Sequence, residues 1–161
     1  MSENKTTIVL NPGEGTAYSA VGDAYRILAG GDQTGGSYTL MEIRVTPQNG
    51  PPPHVHTRED EAFFILEGEV TFQLGGRTVV TQPGGFLQGP RGIPHSFKNT
   101  GSSPARILVL VTPSGFEKFI EEFATPLPSF DAPALPVTPT EIEKLLAAAP
   151  KYGIQILPPP G

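Results

Sequence analysis

Glycine and proline punctuate this chain at short intervals, and no other feature restricts its fold so strongly. The 161 residues include 19 of each. Between Thr6 and Val111 they separate apolar runs that are too short to be helices of ordinary length. Such runs, bounded by Asn11-Pro12-Gly13, Gly30-Gly31, Gly75-Gly76 and Pro83-Gly84-Gly85, read as strands joined by tight turns. Strands are expected at residues 8–10, 24–28, 37–46, 61–66, 70–74, 77–82, 86–88, 95–98 and 105–111. In the third, Met41, Ile43 and Val45 share one face and should look inward, with Leu40, Glu42 and Arg44 opposite. The last is apolar almost throughout, as for a strand covered on both faces. Many short strands at regular spacing indicate a sandwich or small barrel.

Beyond Pro113 the period changes. Phe116, Phe119, Ile120 and Phe123 fall at i, i+3, i+4 and i+7, the stripe of an amphipathic helix, and Ser114 to Glu117 has capping-box spacing. This stripe is expected to pack against the barrel wall or a partner subunit rather than to form a lid. A proline-rich connector leads to Thr138-Pro139-Thr140-Glu141, a second capping box with proline at the first helical position. Ile142, Leu145, Leu146 and Ala149 continue that helix, and residues 154–161 read as an apolar, then proline-rich, surface tail. We take residues 1–161 as one domain, with a barrel core over about 6–111 and a helical appendage over 113–161.

A formal net charge of −5 and the absence of any Lys or Arg cluster argue against nucleic acid or an anionic membrane as a partner. Cysteine is absent, which excludes thiolate metal sites and cysteine nucleophiles and fits a reducing compartment. The only early apolar run is Ile8-Val9-Leu10, too short for a signal-peptide core, and nothing approaches a membrane span. A cytoplasmic protein is the expectation.

The chemistry is concentrated in two stretches. His54 and His56 lie one residue apart after three prolines, so in an extended segment both imidazoles point to the same side. Three acids, Glu59, Asp60 and Glu61, follow, and the remaining histidine, His95, comes later in Pro90-Arg-Gly92-Ile-Pro94-His95. A lone histidine is usually satisfied by local hydrogen bonds. Three histidines and an acid at these spacings instead suit one divalent first-row metal ion, nickel, manganese, iron, cobalt, copper or zinc. Spacing does not choose among the acids, because Glu61 shares a face with Phe63 and Ile65 while Asp60 shares one with Ala62, Phe64 and Leu66. Phe63, Ile65 and, beside His95, Phe97 are candidate pocket residues. Arg91 reads as a surface residue, and Glu59-Asp60 as a solvated corner beside Arg58.

The sequence here resembles the cupin superfamily. Its first motif, G-x5-H-x-H-x3,4-E-x6-G, is answered by His54-x-His56-x4-Glu61-x6-Gly68, and its second, G-x5-P-x-G-x2-H-x3-N, by Gly84-x5-Pro90-x-Gly92-x2-His95-x3-Asn99. One departure is that three prolines, not five residues, separate Gly50 from His54. The resemblance implies an antiparallel jelly-roll barrel of six or more strands, with His54, His56, Glu61 and His95 as metal ligands. Within the superfamily the chain looks most like single-barrel proteins described as quercetin 2,3-dioxygenase-like. That likeness implies a metal-dependent dioxygenase acting on an aromatic small molecule, a flavonol or similar planar enol or phenol, with Glu61 as ligand, base or both. The alternatives are a metal-dependent sugar or hydroxy-carbonyl isomerase or epimerase, and a metal-bearing binding module without turnover. Exposed strand edges need covering, so a homodimer is expected.

Overall fold

A computed structural model of the chain describes residues 5–158. Its strands are β1 (Thr16–Ala20), β2 (Asp23–Ala29), β3 (Thr39–Val45), β4 (His54–His56), β5 (Asp60–Glu67), β6 (Val70–Leu74), β7 (Arg77–Thr81), β8 (Phe86–Gly89), β9 (His95–Asn99), β10 (Ala105–Thr112), β11 (Thr125–Leu127) and β12 (Ile154–Ile156). Helices are few: α1 (Gly31–Thr34), α2 (Phe116–Phe123) and α3 (Pro139–Ala148), the last running into a 3-10 turn. None is long and apolar enough to cross a membrane.

The strands form two antiparallel sheets, ordered β11-β1-β2-β3-β10-β5-β8 and β12-β4-β9-β6-β7. The all-β jelly-roll expectation is met, with one difference: among the described residues the hydrogen-bonded ladder does not close into a single barrel. The sheets face each other across a core whose centre is aromatic. Phe63 of β5 meets Phe72 of β6 and Phe97 of β9 from the opposite sheet, with ring centroids 5.0 and 6.1 Å apart. Burying each such ring contributes about 1.5–3 kcal/mol.

Period decides which side chains enter this core. Met41, Ile43 and Val45 of β3 are buried, as are Ile107, Val109 and Val111 of β10. The other face of β10 is not covered throughout, because Leu110 is exposed, so the two-face expectation for this strand fails. On β3 the opposite face carries a buried charge. Glu42 is held by Arg26 and Arg106, each within 2.6 Å.

Other expectations are corrected. Residues 8–10 are irregular and exposed at Val9, whereas β1 and β11 arise from stretches not read as strands. Ser114 does not cap α2. The N-cap position is Gly115, and the Glu117 carboxylate accepts from the N–H groups of Gly115 and Gly31 and from the Thr39 hydroxyl. At α3 half of the box forms: Thr138 Oγ1 accepts the Glu141 N–H at 3.2 Å, but the Glu141 carboxylate turns to the Val21 N–H. The expected surface tail is in fact β12, with Ile154 buried; its final residues, 159–161, lie outside the described part.

Candidate metal centre

The centre is built where the two sheets come closest in chemistry. His54 and His56 occupy the ends of β4, which lies between β12 and β9, and His54 pairs directly with His95 of β9. Glu61 comes from β5 in the other sheet. Two glycines of the motif stretches shape the backbone here. A Cβ on Gly50 would sit 1.9 Å from the Phe97 carbonyl oxygen, so only glycine lets the chain pass β9 before the prolines. Gly92 has φ +83, and its N–H donates to the His56 carbonyl at 2.8 Å, joining the second motif to the first.

Each imidazole is oriented through Nδ1. The His54 Nδ1–H donates to the Pro52 carbonyl at 2.9 Å, and His95 Nδ1 lies 3.3 Å from the Ile93 carbonyl. His56 Nδ1 lies 3.3 Å from Glu59 Oε2. These contacts leave Nε2 for the centre. Glu61 Oε2 is 2.8 Å from His95 Nε2 and 3.1 Å from His56 Nε2. One donor atom from each of His54, His56, Glu61 and His95 lies within 4.8 Å of all the others.

The residues fit a divalent ion. His56 Nε2 is buried and has no hydrogen bond of acceptable geometry, despite its short approach to Glu61. A buried polar atom without a partner is costly, and three imidazole nitrogens with one carboxylate oxygen form a donor set suited to first-row divalent metals.

Charge on these groups is strongly shaped by their surroundings. Burial, followed by the neighbouring His95 and His56, pushes His54 down to about 3. Burial also opposes charge on His56, but the Glu61 carboxylate and the hydrogen bond to Glu59 outweigh it and raise that ring to about 9. For Glu61, burial is overcome by the charge of the nearby His56 and by the hydrogen bond and charge of His95, which hold it below the usual carboxylate range. Metal binding therefore displaces a proton from a centre that already carries an ionised carboxylate.

Beside the cluster is a cavity of about 50 Å³. His54 and Glu61 reach it from below, and Phe97, Phe116, Phe119, Ile120 and Phe123 supply much of its apolar wall. The α2 stripe thus does more than pack on the outside: it roofs the cavity, with the Phe116 ring centroid 5.2 Å from that of His56. Of the expected pocket residues, Phe97 lines the cavity. Phe63 and Ile65 lie in the core, where Phe63 supports His95 edge-on at 5.8 Å. Asp60 pairs with Arg91 at the surface, as expected for Arg91. Glu59 does not share that solvated corner; it is buried against His56. Its place three residues after a candidate ligand was the available signal. Tyr25, Ile154 and Ile156 also line the cavity without having been anticipated. No local period marked any of the three.

Residues 41–111 match the family model described as a cupin domain. The chain is 29% identical to quercetin 2,3-dioxygenase of Bacillus subtilis (strain 168) over 118 residues, covering 73% of this chain and 35% of that protein. It is 38% identical to germin-like protein subfamily 2 member 2 of Arabidopsis thaliana over 77 residues, 45% of this chain and 35% of that one. The chain thus spans about a third of the length of these curated relatives. A crystal structure of a predicted oxalate decarboxylase from Thermotoga maritima superposes with a TM-score of 0.62 at 21% identity, covering 66% of this chain and 99% of the other. That likeness is one of fold.

Proposed function

This chain belongs to the cupin superfamily through its domain at residues 41–111, and on that footing we propose a metal-dependent dioxygenase of the quercetin 2,3-dioxygenase type, acting on a flavonol or a similar planar enol or phenol. The observation that carries this reading is the lining of the cavity beside the four-residue cluster. It is aromatic and aliphatic, and it includes no lysine or arginine. A flat, largely apolar ligand suits such a wall. A sugar phosphate would call for a cation, and a polyhydroxylated sugar for several convergent polar groups.

His54, His56, Glu61 and His95 would hold one divalent transition-metal ion. When bound, the ion supplies Lewis acidity toward a substrate hydroxyl. Glu61 is the chain's proton acceptor in this reading, since it is ionised and shares the cavity floor with His54. His56 is kept in place by Glu59, and the aromatic roof on α2 keeps bulk water from the reacting groups.

Size adds a condition. The cavity of about 50 Å³ is smaller than the engineered apolar cavity of about 150 Å³ that admits benzene. A ring therefore enters only as the wall made by α2 and β12 gives way. Oxygen uptake with quercetin, measured on protein loaded separately with nickel, manganese, iron, cobalt, copper or zinc, tests the reading. Uptake with at least one metal is expected, and none with any would sink it.

A further inference from the structure

Tyr25 stands at an inward-facing position of β2, opposite Tyr18 on one side and Ile43 on the other. It is only 7% exposed and borders the same cavity as His54 and Glu61. Among the described residues the buried side-chain atoms without a partner are Arg44 Nε and His56 Nε2, so the Tyr25 oxygen is not one of them. The Tyr25 hydroxyl forms no hydrogen bond with any described residue, although Glu61, Asp23 and Glu141 all act on it electrostatically. The hydroxyl therefore has accessible surface without a protein partner, and the residue lines the cavity beside the four-residue cluster.

The charges around it restrict that ligand. The three groups are carboxylates, and apart from an ion held by the four-residue cluster the cavity lining offers no cation to balance a further negative charge. A second carboxylate or a phosphate brought beside Tyr25 would be repelled. A carbonyl, ether or hydroxyl oxygen would not, and it would accept the phenolic hydrogen.

We propose that Tyr25 is a substrate-contact residue whose hydroxyl donates a hydrogen bond to a neutral oxygen on the part of the substrate remote from the metal cluster. The inference rests on the reading of this cavity as the substrate site, and it narrows the substrate to an enol or phenol bearing a second, uncharged oxygen. Oxygen-rich planar phenols meet that description; dicarboxylates do not. Discrimination by a single buried hydrogen bond of this kind is characteristically large, because the analogue lacking the oxygen leaves the site's donor unpaired.

The test uses cobalt-loaded wild-type protein and Tyr25→Phe, titrated with phenol, 3-hydroxyacetophenone, 4-hydroxyacetophenone and 4-hydroxybenzoate. Binding is read from the visible absorption of the metal, so no turnover is required. Wild type should bind at least one hydroxyacetophenone roughly tenfold tighter than phenol, and gain nothing from the carboxylate of hydroxybenzoate. Tyr25→Phe should lose that preference, keep its affinity for phenol and its cobalt content, and melt no lower than wild type without ligand. Retention of the preference by the variant would overturn the proposal, as would no preference in wild type. A lowered melting temperature with equal loss for every probe would also overturn it, by showing a structural role. Failure of oxygen uptake by wild type would strike the dioxygenase reading alone and leave this comparison intact.

Discussion

Ile154 stands opposite His56 in an antiparallel ladder. The last strand of the chain is thereby bonded to the strand that carries two of the four cluster residues. The strap extends on both sides, with the Thr57 N–H donating to the Gly153 carbonyl at 2.9 Å and the Leu157 N–H to the Pro53 carbonyl at 2.8 Å. Without it, β4 would be the edge of its sheet. Ile154→Ala should cost about 2–5 kcal/mol in denaturant unfolding, as a buried truncation does, and should also weaken metal retention in a chelator competition. Ile107→Ala, equally buried but opposite Ile65, four residues along β5 from Glu61, should cost as much stability and leave metal affinity unchanged.

Glu59 is the buried partner of His56 Nδ1. Loss of such an outer partner usually weakens metal binding by about 10–100-fold. Glu59→Gln should do so while leaving secondary structure intact. Equal affinity in variant and wild type would mean that Glu59 only fills space.

Phe119 is part of the roof over the cavity and packs between Phe116 and Phe123. Phe119→Ala should lose about 3–5 kcal/mol of stability. It should also shift relative turnover toward quercetin and away from single-ring phenols, because the cavity no longer has to be forced open. Unchanged selectivity would place substrate entry elsewhere.

Which of these features were legible beforehand follows from the length scale of each signal. Strands such as β3 and β10 carry seven or eight residues of alternation or apolarity, and the four donors sit at spacings that a family motif also shows. Residues Ile154, Gln155 and Ile156 are too few for a period to appear, and their strand exists because β4 presents an open edge. Glu59 sits between exposed Arg58 and half-exposed Asp60, so its neighbours in sequence suggested solvent. Its burial is decided by His56 and by the C-terminal segment, which takes Arg58 through the Lys151 carbonyl. The stripe on α2 announced a helix face. What that face would cover depended on a tertiary arrangement that no local period contains.

Asp23 gives the fold a dependence on pH. Burial raises its carboxyl to about 6, against hydrogen bonds that include the Thr46 N–H at 2.9 Å. A carboxyl whose folded pKa exceeds its unfolded one contributes stability that is complete below the unfolded value, near 4, and is lost as pH rises through about 6. Asp23→Asn keeps an acceptor for Thr46 without the charge. Relative to wild type, the variant should gain up to about 3 kcal/mol at pH 7.5 compared with pH 4. Unfolding curves at the two pH values measure it.

The central claim is that His54, His56, Glu61 and His95 form one metal site. Elemental analysis after loading and desalting tests it most directly, on wild type and on His95→Ala. The account predicts one equivalent of a divalent transition metal per chain in wild type and almost none in the variant, with both proteins folded. A variant that kept its full equivalent, or a wild type that kept none of any metal offered, would contradict it.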